Sequence, residues 1–251
     1  MSYSMSSIPC NKANYGNLRS VSNIKYIVIH FTANDGDKAI NNGNYFKNNV
    51  VKASAHYFVD DNTVIQSVKD NYVAWAVGGS KYTNCSSTGG GTKYGVVTNS
   101  NSISIEMCDT KRDGKVMATE RTIENCIELT VKLMKKYKIP SSHVVRHFDV
   151  TGKSCPAYYV NNNEWNKFLN KVKKAAGEKI VKIEPKKVNY DVIVTTDNLN
   201  VRTSYSTSSE SVKKLHTGDK RTIIAEVKNE GLTWGKIKDN RWIALKYTKK
   251  C

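Results

Sequence analysis

Residues 26–33 read YIVIHFTA, and this stretch decides the fold. Tyr26, Ile27, Val28 and Ile29 form an apolar, largely β-branched run that ends at His30. An uncharged run of this length is the pattern of a buried strand, so His30 should project from a strand end. A second such run, Val144 and Val145, leads to His147, and Cys155 follows just before Pro156. Between them, SISIEMC at 102–108 alternates as a strand and carries Glu106 among apolar neighbours.

Imidazole and thiolate are ligands that Zn²⁺ favours, and three protein ligands leave a fourth tetrahedral position open, as in catalytic rather than structural sites. His30, His147 and Cys155 could close around one ion in this way. Any chain with several histidines and cysteines offers such triples by residue type alone. Glu106 narrows the reading. A carboxylate among apolar residues is costly to bury unless something pairs or uses it, and water attacking an amide beside a metal needs a base.

The surrounding elements alternate. A polar segment around 37–49 is predicted to be helical, with Tyr45 and Phe46 facing inward. AHYFVDD and TVIQSV form a hairpin turning at Asp61 and Asn62. Residues 78–101, rich in Gly, Ser, Thr and Asn, make a long loop near the cleft. Over 120–138 the apolar residues Ile123, Cys126, Ile127, Val131 and Met134 share one helical stripe, with Thr119 as N-cap and Pro140 as stop. A second amphipathic helix covers 163–175, with Trp165, Phe168, Leu169 and Val172 on one face. Strands alternating with helices predict an α/β domain: a mixed central sheet flanked by helices, with the site at strand ends.

Residues 176–190 are charged, contain Pro185, and read as a linker. After them the helical period disappears and short strands take over, which predicts a small all-β barrel or sandwich over 191–251.

Taken together, VIHFTA, SAHYFVDD, SISIEMC, VVRHFDVTGKSCP and the helix before the last resemble the type-2 N-acetylmuramoyl-L-alanine amidases, a family that includes phage endolysins, bacterial autolysins and peptidoglycan recognition proteins. The resemblance covers roughly residues 20–172. It implies that His30, His147 and Cys155 are zinc ligands, that Glu106 is the catalytic base, and that Lys153 matches a lysine that stabilises the oxyanion in some members. It also implies peptidoglycan as the partner. Two positions depart from the pattern. VAWAVGG places Ala76 where many members have histidine after tryptophan, and Ala55 stands where some phage members have a catalytic tyrosine. Members that only recognise peptidoglycan commonly lack the zinc cysteine, which is present here. The motifs LNVRTSYSTSSESVKKLHTGD, TWGKI and RWIALKY resemble bacterial SH3-like wall-binding domains, which implies a catalytic domain over 1–175 and a wall-binding domain over 191–251. Arg202, Tyr205, Trp234 and Trp242 are candidate wall contacts, with the barrel core as the competing assignment for the aromatic ones.

Two other readings stay open at this stage. One is a non-catalytic peptidoglycan-binding protein. The other is a wall peptidase with Cys155 as nucleophile and His147 as base, although enzymes of that class usually place cysteine before histidine. His56 reads either as a core or supporting histidine or as a substrate contact. Asp149 reads as a support for a ligand imidazole, a helix cap, or a solvated group. His143 should lie on the strand face shared with His147 and about 13 Å from it, hence at the surface. His216 should be solvated in a turn.

The chain of 251 residues has 39% hydrophobic residues and a net charge of +17, spread over both parts. It is long enough for a full-sized domain and a small one. The charge favours anionic partners. No nucleic-acid-binding signature accompanies it, so anionic polymers of a Gram-positive wall are the expected charged partner beside peptidoglycan. No apolar run approaches the ~20 residues needed to span a bilayer, so no membrane insertion is expected. MSYSMSSIPCNK lacks the pattern of a secretory signal. The expectation is synthesis in the host cytoplasm, with action on the wall after holin-type release as for a phage endolysin. Reduced thiols are expected for the six cysteines, with Cys108 and Cys126 as core residues and Cys10, Cys85 and Cys251 in polar or terminal stretches.

Overall fold

The computed structural model describes residues 3–112, 114–178, 184–207, 209–229 and 231–251. The chain divides into two units, Met1–Lys179 and Ile180–Cys251.

In chain order the first unit carries β1 (Ser4–Ser7), β2 (Tyr15–Leu18), β3 (Tyr26–Phe31), α1 (Ala39–Asn48), β4 (Tyr57–Val59), β5 (Thr63–Gln66), β6 (Tyr72–Ala74) and α2 (Cys85–Thr88). It continues with β7 (Ser102–Met107), β8 (Thr110–Arg112), β9 (Lys115–Met117), α3 (Glu120–Tyr137), β10 (Val144–Arg146), α4 (His147–Thr151) and α5 (Asn162–Ala175). Six strands form a mixed sheet in the order β1-β5-β4-β7-β3-β10. β4, β7, β3 and β10 run parallel, while β5 is antiparallel to β4 through the expected hairpin. Asp60 closes that hairpin by accepting from the Asn62 and Thr63 N–H groups.

Side chains alternate between faces along each strand, and this sorts the sheet. Ile27 and Ile29 of β3, with Ile103, Ile105 and Met107 of β7, join the core formed with α3 and α5. Cys126, Leu129, Leu133 and Met134 of α3 and Trp165, Phe168 and Val172 of α5 supply the helical side of that core. Thr119 caps α3 by accepting from the Thr122 N–H, and Lys138 ends it in the left-handed conformation before Pro140. The other face carries Val28 and His30 of β3 and Ser104 and Glu106 of β7. The register sets His30 opposite Glu106, and Glu106 opposite Phe58 of β4. A histidine, a carboxylate and an aromatic ring therefore stand side by side at the carboxyl ends of adjacent parallel strands.

Three expectations need correction. Tyr45 is about half exposed, whereas its neighbour Phe46 packs against Phe58. β10 stops at Arg146, so His147 opens a helix rather than continuing the strand. His143 lies in a single 3₁₀ turn, half-buried and stacked on Tyr26. Cys10 and Cys85 are also buried despite their polar sequence surroundings.

The second unit is all β. Among the described residues its seven strands are β11 (Lys186–Val194), β12 (Leu199–Arg202), β13 (Ser211–Leu215), β14 (Lys220–Asn229), β15 (Leu232–Ile237), β16 (Trp242–Ala244) and β17 (Thr248–Lys250). They pair antiparallel in the order β13-β12-β16-β15-β14-β11-β17. Strand β11 begins inside the stretch expected as linker, and residues 179–183 of that stretch lie outside the described residues. Alternation in β12 and β14 buries Leu199, Val201, Ile223, Ala225 and Val227. Trp234 and Trp242 are core residues, with Tyr205 edge-on against Trp242. His216 is exposed in its turn.

Candidate active site

Three local devices bring the site together. β3 delivers His30 from the strand end. β10, paired parallel beside β3, ends where α4 begins, so His147 sits next to His30, with ring centroids 4.7 Å apart. α4 then stops at Gly152, whose φ of 82° is a left-handed turn that glycine adopts without strain. The chain folds back, and the Phe148 N–H donates to the Cys155 carbonyl at 2.9 Å. This return places Cys155 beside both histidines.

The candidate ligand atoms of His30, His147 and Cys155 all lie within 4.8 Å of one another, and the three residues are buried. The Cys155 Sγ is 3.8 Å from the His30 Nδ1. Tetrahedral zinc with these ligands needs separations of roughly 3.5 Å, a small contraction from the observed arrangement. Two imidazoles and a thiol that is thiolate when ligated are a donor set that fits the ion. Burial and the nearby His147 and Lys153 hold the His30 pKa well below its ordinary value. Burial and Lys153 push His147 down to about 4. Both imidazoles are thus neutral near pH 7, as metal ligation requires.

Glu106 lies beside this trio, its Oε1 3.8 Å from the His30 Nδ1. Its Oε2 is buried and has no hydrogen-bond partner among the described residues. Burial pushes its pKa up to about 8, although Lys153 pulls the other way. A carboxyl poised near neutrality suits proton transfer. Lys153 is exposed, and lines with Glu106 both a cavity of about 170 Å³ over the three candidate ligands and an adjoining one of about 710 Å³. Ala55, Ala76 and Trp75 wall the smaller cavity. Asn34, Asn41, Tyr45 and Phe46 line the larger. The two alanines that depart from the family pattern therefore stand at the site itself.

The structure brings together all five residues predicted from sequence and separates the rest. His56 is fully buried and is not part of the ligand group. Its Nδ1 accepts from the Ser104 N–H, its Nε2 donates to the Tyr72 carbonyl, and the Arg19 guanidinium lies 2.9 Å from that nitrogen. Burial and Arg19 push its pKa down to about 3, so it is a neutral framework residue. Asp149 supports Arg146 and not a ligand imidazole. It accepts from the Arg146 N–H and pairs with its guanidinium at 2.6 Å. The Arg-x-x-Asp spacing could have signalled this cap. Cys155 is the reverse of an activated nucleophile, since burial and Glu106 drive its thiol pKa well above the ordinary range. Asp109, three residues past Glu106, is 1% exposed and was not singled out in the sequence. A second carboxylate closing the same apolar run was the available signal.

A profile of the N-acetylmuramoyl-L-alanine amidase family matches residues 20–158. The N-acetylmuramoyl-L-alanine amidase CwlL of Bacillus licheniformis is 34% identical, covering 64% of this chain and 44% of the relative. CwlA of Bacillus subtilis, another N-acetylmuramoyl-L-alanine amidase, is 30% identical, covering 85% of this chain and 74% of its own length. The chain spans about half the length of several curated relatives that it matches. Among solved structures, the PlyG catalytic domain is 26% identical with a TM-score of 0.55, covering 71% of this chain and 99% of that domain. The structure of PlyL is 26% identical with a TM-score of 0.51, covering 68% and 97% respectively.

Proposed function

We propose, for a chain that belongs to the type-2 N-acetylmuramoyl-L-alanine amidases, zinc-dependent hydrolysis of the amide between N-acetylmuramic acid and L-alanine in peptidoglycan. The observation that carries this reading is the meeting of His30, His147, Cys155 and Glu106 in one buried cluster at the floor of an open cleft. His30, His147 and Cys155 would hold the ion, which when bound supplies Lewis-acid polarisation of water and of the scissile carbonyl.

The remaining chemistry belongs to side chains of this chain. Glu106 accepts the proton of the attacking water at its carboxylate and passes it to the leaving alanine amine. Lys153 presents an ammonium beside the same cavities and offsets negative charge developing on the carbonyl oxygen. The two neutral imidazoles and the Cys155 thiolate would hold the ion and take no part in proton transfer.

In this reading the second unit is an SH3-like wall-binding domain that keeps the enzyme near its substrate and raises the local concentration. A cavity of about 340 Å³ lined by Asp197, Asn200, Arg202, Trp234 and Tyr247 supports that role. The net charge of +17 suits a Gram-positive wall carrying anionic polymers, and the role is that of a phage-type endolysin.

Digestion of purified Gram-positive wall tests the reaction, with new amino groups and new reducing ends scored separately. New alanine amino termini without reducing ends are expected. Wall that is bound but yields no new ends would replace the enzyme with a recognition protein.

A further inference from the structure

We propose that Asp109 is a positioning residue that ties together the segments carrying His30, Cys155 and Glu106. The inference rests on the metal reading above and concerns how this chain holds the site in shape.

Asp109 follows β7 directly and belongs to the same stretch as Glu106. Its Oδ2 accepts from the Ala33 N–H at 2.9 Å. Ala33 lies three residues past His30, and its φ of 57° is a left-handed conformation that a non-glycine residue seldom holds without support. The Asp109 Oδ1 accepts from the Tyr158 hydroxyl at 3.3 Å. Tyr158 lies three residues past Cys155, and its ring meets Phe31 edge-on. One carboxylate therefore spans the loop after His30 and the segment after Cys155.

The backbone of Asp109 completes the tie. Its N–H donates to the Asp37 Oδ1 at 2.8 Å, and its carbonyl accepts from the Gly36 N–H at 3.0 Å. The loop over 32–37 is thus folded around this residue, and it lines the larger cavity through Thr32, Asn34 and Asp37. Burying a carboxylate this deeply opposes folding. Burial and the nearby Asp37 push its pKa up to about 7, while the Ala33 and Tyr158 bonds pull it back. An apolar side chain would fill the space without that cost. What it could not do is accept two hydrogen bonds from two ligand-bearing segments.

Groups that orient metal ligands from outside typically account for about 10–100-fold in metal affinity. The test uses the full-length protein and its Asp109→Ala, Asp109→Asn and Tyr158→Phe variants. Zinc affinity is measured by competition with a chromogenic chelator, and amide exchange at Ala33 is followed in the metal-free protein. Asp109→Ala should weaken zinc binding by about 10–100-fold and speed Ala33 exchange. Asp109→Asn keeps one acceptor and should fall between it and the wild type. Tyr158→Phe should lose zinc affinity several-fold while Ala33 exchange stays slow, a split that general destabilisation would not give. If Asp109→Ala fails to fold, the Tyr158→Phe split decides. Wild-type zinc affinity in either folded variant overturns the proposal. A His147→Ala control keeps the two questions apart: if wild type and control take up zinc equally, the metal reading has failed and not the tie.

Discussion

Glu106 and His30 are register partners across β7 and β3, and their side chains approach to 3.8 Å between Oε1 and Nδ1. The distance is that of an ion pair, but the charges are absent. Burial pushes Glu106 up to about 8 and holds His30 well below its ordinary value, so near pH 7 a neutral acid faces a neutral imidazole. The alignment is a backbone property: a one-residue slip of either strand would turn its own side chain to the face covered by α3 and α5. A cation entering beside them would restore charge to the carboxylate.

Replacing Glu106 with glutamine keeps the shape and removes the base. The turnover rate should fall by about 10²–10⁴-fold, with zinc content unchanged by metal analysis. Activity within threefold of wild type would assign the proton transfer elsewhere.

Zinc binding should release protons. In the metal-free protein Cys155 and Glu106 both hold theirs at pH 7, because burial raises each pKa. Thiolate ligation and the nearby cation reverse both. Titration calorimetry in buffers of different ionisation enthalpy should show more than one proton released per zinc. Glu106→Gln should reduce that number by about one. An unchanged number would mean that Glu106 is already ionised before metal enters.

Stability of the metal-free protein should decline between pH 6.5 and pH 8. Glu106 and Asp109 keep protons up to about 8 and about 7, above their unfolded values of 4.5 and 3.8. Over that interval the folded state binds more protons than the unfolded one, so stability falls as pH rises. His30, His56 and His147, all held below the ordinary imidazole value by burial, oppose this in part as the unfolded imidazoles take up protons around and below pH 6.5. Urea unfolding at the two pH values should show the decline in wild type and a smaller one in Glu106→Gln. Equal declines would remove Glu106 as a cause.

Gly152→Ala should be costly. The residue has a φ of +82°, and an added Cβ would stand 1.8 Å from the Cys85 Sγ. Left-handed strain and overpacking together suggest about 2–4 kcal/mol, read as a lowered melting temperature. Pairing it with Cys85→Ala should recover part of the loss, since the sulfur is the nearest obstacle. No recovery would put the whole cost on the backbone.

The parts of this architecture that were legible in sequence are those governed by local pattern. The β-branched run to His30, the stripe from Ile123 to Met134 and the cap at Thr119 each express a period or a hydrogen bond within a few residues. The site triple was legible because His30, His147 and Cys155 carry unusual chemistry at strand and turn positions. Tyr45 was misread because α1 packs through Ala39, Asn42 and Gly43, and periodicity alone could not show that a cleft takes its outer face. The end of β10 was masked by the strand-like run Val144–Arg146, although the Arg146–Asp149 pair that caps α4 is local, three residues apart, and was the available signal. The carboxylate of Asp109 at the end of the apolar run was visible, but its role was not, since its two partners, Ala33 and Tyr158, come from distant parts of the chain.

Metal content and activity measured together test the central claim most directly. Purified protein is titrated with a chelator and then with zinc, and zinc per chain is recorded beside the release of alanine amino termini from wall. One zinc per chain is expected, with activity lost and regained in proportion to it, and neither should be present in His147→Ala. Full amide cleavage by protein stripped of zinc would contradict the account.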